Sequence, residues 1–288
     1  PDDAKSLLQQ AAARKIGGAA VPEMLGELAR AQGDTATAER ELALGQHDPE
    51  SAMRRLQNDA REATMHGQLQ QAQTLTQQAN AAAEKLGAGG AAANMNAGLA
   101  LSHAFYGQRA EAMRLAAAVA ASPDPGLKSL MALAAAWQGD TAQATRWMQA
   151  AAAAGDDYFV HTEFLPQVRA ALALHAGHAD QAVRELQPAM SLAPGHADLW
   201  VSMGEAQLAA GDAAGAAANF QKVLQQRIFQ LVGHNALLVT MSELGLARAL
   251  ARQARTGDPD CKSQARIAYQ NLCRDWQHAD PDLPLVQQ

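Results

Sequence analysis

Between Ala197 and Gln226 (ADLWVSMGEAQLAAGDAAGAAANFQKVLQQ) apolar positions recur with the period of a helix, break at Gly211-Asp212, and then resume. Leu199, Met203, Ala206 and Ala210 mark one face before the break; Ala213, Ala216, Ala217, Phe220, Val223 and Leu224 mark one after it. This spacing predicts two short amphipathic helices. Gly211 suits the positive φ wanted at a helix C-terminus, and Asp212 suits the capping position of the next helix. Small residues at Gly204 and Ala216 let the two helices approach, with Trp200 and Phe220 beside them. A lone hairpin of this size cannot bury its own apolar face, so the pattern should recur.

It does. Equivalent bend glycines stand at Gly33, Gly67, Gly107, Gly139, Gly177 and Gly211, with a looser seventh at Gly257. Five residues after the first six come Ala38, Ala72, Ala112, Ala144, Ala182 and Ala216. Seven residues before them come Gly26, Ala60, Ala100, Ala132, Ala170 and Gly204. These landmarks resemble the tetratricopeptide repeat, W-x2-L-G-x2-Y followed by A and F, with Met203 in place of the Leu and Gln207 in place of the Tyr. The resemblance implies an all-α fold, a TPR-like right-handed α-solenoid of about seven helix-turn-helix hairpins. The whole chain, 1–288, then reads as a single superhelical domain. An opening helix (1–20) precedes hairpins at 22–50, 51–87, 91–122, 127–155, 163–194, 197–227 and 235–278. His47-Asp48-Pro49 and Gly155-Asp156-Asp157 read as separators, and Ala265 and Tyr269 take the places of Ala216 and Phe220 in the last hairpin. Pro281 and Pro284 keep the tail, 279–288, from being continuous helix.

Composition narrows the function. Aromatic residues make up only 4% and alanine is abundant, which suits close helix packing and not sheets. A net charge of −6, with both signs scattered, argues against a nucleic-acid groove. Apolar runs such as Leu127–Trp137 fall short of the ~20 residues of a membrane span, and no signal peptide is legible. A start at Pro1 without Met predicts a piece of a longer protein, either cytoplasmic or the periplasmic part of a membrane-anchored one. Cys261 and Cys273, twelve apart along one turn and helix, would be ~18 Å apart and are expected as two thiols.

Catalytic signatures are absent: no G-x-S-x-G, H-E-x-x-H or P-loop occurs. Gly87, Gly89 and Ala92 fit G-x-G-x-x-A only if the helix expected before them were a strand, so they read as a loop. His175 and His178 are separated by the helix-breaking Gly177 and lack a third ligand nearby. The expectation is no enzyme, no cofactor and no metal. A binding surface is the better prospect, because the resemblance to the tetratricopeptide repeat implies that the first helix of each hairpin lines a concave face. Met65, Phe105, Trp137 and His175 stand two residues before successive bends, with Arg30, Arg61 and Glu205 on neighbouring positions. They are candidates for a groove taking an apolar or aromatic protein or peptide ligand. The competing account has them packing between adjacent hairpins. Self-association into a homodimer through the Trp276 tail or the first helix is a further alternative.

Several longer segments carry a narrower resemblance. Met65–Ala79 (MHGQLQQAQTLTQQA), Phe164–Ala189, Asn219–Ala251 and the closing Ala268–Gln288 (AYQNLCRDWQHADPDLPLVQQ) are similar to the C-terminal TPR region of acidobacterial serine/threonine protein kinases. The similarity runs from about Met24 onward and departs at Arg252–Lys262, where this chain is longer. It implies a parent protein with a kinase domain, or alternatively a winged-helix regulator, N-terminal to this array. No Gly-rich loop, H-R-D or D-F-G is present, so no catalytic residue carries over.

Overall fold

The structure is a computed structural model that describes residues 2–18, 20–44, 48–153, 157–232, 235–255 and 259–288. It is 81% helix with no strand among the described residues, so the fold is all-α. In chain order the helices are α1 (Asp2–Ala13), α2 (Ala20–Ala31), α3 (Thr35–Leu44), α4 (Pro49–Met65), α5 (Leu69–Lys85), α6 (Gly89–Phe105), α7 (Arg109–Val119) and α8 (Pro125–Trp137). They continue as α9 (Thr141–Ala152), α10 (Leu165–His175), α11 (Ala179–Leu192), α12 (Ala197–Ala210), α13 (Ala213–Gln225), α14 (Arg227–Val232), α15 (Ala236–Ala254) and α16 (Pro259–Asp275). One π-turn, Val160–Phe164, leads into α10. The seventh bend at Gly257, His47 and Gly155-Asp156 lie outside the described residues. No described helix is long and apolar enough to cross a membrane.

The six bend glycines all carry positive φ, from +68° to +94°. The alanines five residues beyond them are buried, as are the small residues seven before. Close approach is what demands the smallness. A Cβ on Gly204 would stand 2.8 Å from the Phe220 ring, and one on Gly245 of α15 only 2.3 Å from it. Phe220 is thus clamped between two glycines and fully buried. Tyr269, its expected counterpart on α16, is instead 38% exposed.

α1 packs on α2 and α2 on α3, from α4 onward each helix packs on the next, and first helices also pack on one another along the series α4, α6, α8, α10, α12, α15. That series then closes, because α15 meets α4, while the short α14, not anticipated from the sequence, meets α2. The chain tail locks the closure. Tyr106 is fully buried and its hydroxyl donates to the Thr64 and Met65 carbonyls at 2.8 and 3.2 Å. Trp276 lies edge-on to the Tyr106 ring, centroids 5.7 Å apart, and its indole N–H donates to the Met65 carbonyl at 3.0 Å. Carbonyls in the last turn of a helix have no partner within the helix, so these two side chains complete the end of α4. Leu283, fully buried, fills the space beside Leu69 and Tyr106. The tail, one of the two segments considered for a homodimer contact, packs here within its own chain.

Candidate functional site

The closed series of first helices encloses a cavity of about 840 Å³, lined by α4, α6, α8, the π-turn, α10, α12, α14 and α15. Toward the bend end of α8 Trp137 lines it and packs, as Phe105 does outside the lining, against the buried cluster that holds Val201, Phe220 and Met241. Toward the opposite ends the walls carry Asn94, Asp124, Asp157, Phe159, His196, Phe229 and Asn235. Two of these are large aromatics left in solvent: Phe229 is 70% and Phe159 55% exposed.

One wall is built for polarity. The π-turn comes just before Pro166, whose missing N–H already interrupts the helical ladder, and the Leu165 N–H bonds back five residues to Val160. This wider turn sets Val160, Glu163, Phe164 and Gln167 along the cavity. Glu163 is buried, and its carboxylate accepts from His196 Nδ1 at the start of α12. Asp198, two residues on, accepts from Gln167 Nε2 at 2.8 Å, and Gln167 Oε1 accepts from the Ser202 hydroxyl at 2.9 Å. Donor atoms of Glu163, His196 and Asp198 all lie within 4.8 Å of one another. Among the described residues neither carboxylate pairs with a lysine or arginine.

A second cavity, about 290 Å³, lies where α2 and α4 meet α14 to α16. It holds charges of both signs. Arg30 pairs with Asp59 at 2.9 Å and Glu62 at 3.2 Å, and Arg227 pairs with Glu243. Burial pushes the Glu27 carboxyl above its usual range, with Arg30 opposing, and its Oε1 is buried without a hydrogen bond. Burial also raises Glu243, against the pull of Arg227. The Arg61 guanidinium is lowered by burial, opposed by Glu27, and its side chain donates to Asn58 Oδ1 at 2.8 Å.

The residues singled out in the sequence fall into separate places. Met65, Arg30 and Arg61 line the smaller cavity, and Arg61 reaches the larger one as well. Trp137 lines the larger cavity while half-buried in the core, and Phe105 stacks edge-on with Tyr106 at 5.0 Å. His175 is exposed, its imidazole lying over the bend at Gly139. Glu205 faces Arg248, and burial raises its carboxyl. The seven do not form one continuous groove.

Glu163, His196, Asp198 and Gln167 escaped the sequence reading, yet a signal for them exists. Glu163 and His196 are 33 residues apart, and Gln167 and Asp198 are 31 apart, close to one repeat. In stacked hairpins, residues one repeat apart on first helices become neighbours. The same spacing joins Glu23 to Arg54 and Arg30 to Asp59. Searching for paired polar positions at that interval, in place of local motifs, would have found the cluster. Compared with known proteins, the chain matches no family model and no curated sequence.

Proposed function

We propose that this chain is a TPR-like helical-repeat module, a right-handed solenoid closed on itself, that binds a protein or peptide segment in its larger cavity. The observation that carries the reading is the 840 Å³ space with Phe159 and Phe229 exposed at its walls. Large aromatic side chains cost free energy in water, and a cavity of this size accepts several side chains of an extended segment. Polar residues on the walls supply partners for the segment's backbone. In this reading the module is the non-catalytic, sensory or scaffolding part of a larger signalling protein, such as the kinases its repeats resemble.

The test is selection of binders from a random peptide library, followed by affinity measurement on single peptides. Selected peptides should bind at least about 10-fold more weakly to a Phe159→Ala/Phe229→Ala variant, a loss of about 1.4 kcal/mol. Both positions are exposed, so circular dichroism of the variant should match the wild type. No enrichment, or affinities that ignore the two substitutions, would sink the reading.

A further inference from the structure

We propose that Glu163, His196 and Asp198 bind a divalent transition-metal ion of the zinc type on the wall of the larger cavity. The donor set is one imidazole nitrogen and two carboxylate oxygens, all within 4.8 Å of one another. A tetrahedral ion with bonds of about 2.0–2.2 Å places its donors about 3.3–3.6 Å apart, so small side-chain rotations close the three onto one ion. Imidazole among the ligands favours zinc, nickel or copper over magnesium or calcium.

Charge gives an independent reason. Glu163 is only 5% exposed, with the Asp198 carboxylate beside it. A buried carboxylate is costly unless a positive charge compensates it. The charged residues on the cavity walls are Asp124, Asp157, Glu163, Asp198 and a single arginine, Arg61, which forms no ion pair among the described residues. The wall therefore carries more negative charge than Arg61 offsets; within the cluster the one group able to turn cationic is His196, itself a ligand in this proposal, and a bound ion compensates both carboxylates at once.

The ligands are also held. The π-turn fixes Glu163, and the Ser202–Gln167–Asp198 relay orients the second carboxylate, as outer partners do around metal ions. Three protein donors leave a fourth position open to the cavity, the arrangement that lets a metal accept water or a ligand. This site does not depend on the peptide reading, and metal alone tests it.

Calorimetric titration of the metal-stripped full chain with zinc chloride should show one saturable ion per chain, and no comparable binding of magnesium. Glu163→Gln and His196→Gln should each weaken zinc at least 10-fold with unchanged helicity. Gln167→Ala removes no ligand atom and should weaken it about 10-fold through loss of the Asp198 partner, which keeps the test decisive if a ligand variant fails to fold. Absence of saturable zinc binding by the wild type overturns the proposal. So does zinc binding that persists in the folded variants, which would place the ion elsewhere, or equal binding of magnesium.

Discussion

Five of the six bends fall into two kinds; the sixth, Gly177-His178, has no side-chain cap and lies away from the tail contacts. At Gly33-Asp34, Gly139-Asp140 and Gly211-Asp212 the aspartate caps the following helix, accepting from the amides of Thr37, Gln143 and Gly215 at 3.1, 3.0 and 2.8 Å. At Gly67-Gln68 and Gly107-Gln108 the capping position is glutamine, and it makes no such bond. Those two bends are where the tail lies. The Asp280 carboxylate accepts from the Gln70 amide at 2.9 Å, so α5 receives its cap from 210 residues away. Gln108 donates to Asp282 at 3.2 Å while its carbonyl oxygen accepts from His103, and Pro284 packs on Gly107. At α5 a distant part of the chain supplies the missing cap, and at the start of α7 the tail engages the side chain that makes none. The closure of the helical series is thus written into the departures from the repeat, not into the repeat itself.

The comparison breaks first at Tyr106. If the tail truly holds the closure, removing the side chain it packs on should be severe. Tyr106→Ala deletes a fully buried ring and leaves the Thr64 and Met65 carbonyls with one partner fewer, so a loss of about 3–5 kcal/mol is expected in chemical denaturation. Protease cleavage within the tail should accelerate in parallel. A loss under about 1 kcal/mol would mean that the seam is only a surface contact.

Much of this was visible from alanine, glycine and helical periodicity. The six bends and their two columns of small residues follow from local rules, because a glycine at positive φ and a Cβ-sized gap are local requirements. Closure was not visible. It depends on Trp276, Asp280 and Leu283 meeting Met65, Gly67 and Tyr106, and no periodicity links positions so far apart. The cavity cluster was hidden for another reason: its pairs sit one repeat apart, where a search for short motifs does not look. Phe105 and Trp137 were recognised as large residues on first helices, but only closure decides that one faces the tail's aromatic cluster and the other borders the cavity.

A glycine pair sharpens the contrast between bends. Gly67 and Gly211 both hold positive φ, +68° and +94°. Alanine at either must take a left-handed conformation that costs about 1–2 kcal/mol. A Cβ at Gly211 meets nothing within 4 Å, whereas at Gly67 it would stand 2.8 Å from the Ala279 Cβ and 3.3 Å from Leu283. Gly67→Ala should therefore destabilise more than Gly211→Ala in the same denaturation experiment. Adding Ala279→Gly should remove most of the excess. Equal effects at the two bends would show that the tail does not press on Gly67.

The smallest effect tests the idea most directly. Asp280→Ala removes the acceptor for the Gln70 amide at the start of α5, and a lost N-cap costs about 0.5–2 kcal/mol. Local repair should then be possible. Gln68→Asp places a carboxylate at the position that Asp34, Asp140 and Asp212 hold in the self-capped bends, within reach of the same helix end. By the same geometry it would serve the Gln71 amide, next to the Gln70 amide that Asp280 holds, so in the wild-type background it should gain little, because two carboxylates would crowd one helix terminus. In the Asp280→Ala background it should recover most of the loss. The two substitutions are thus expected to be strongly non-additive, the mark of groups that serve one helix end. Additive effects would mean that Asp280 stabilises the tail through some other contact, and that the missing aspartates at Gln68 and Gln108 have nothing to do with where the chain closes.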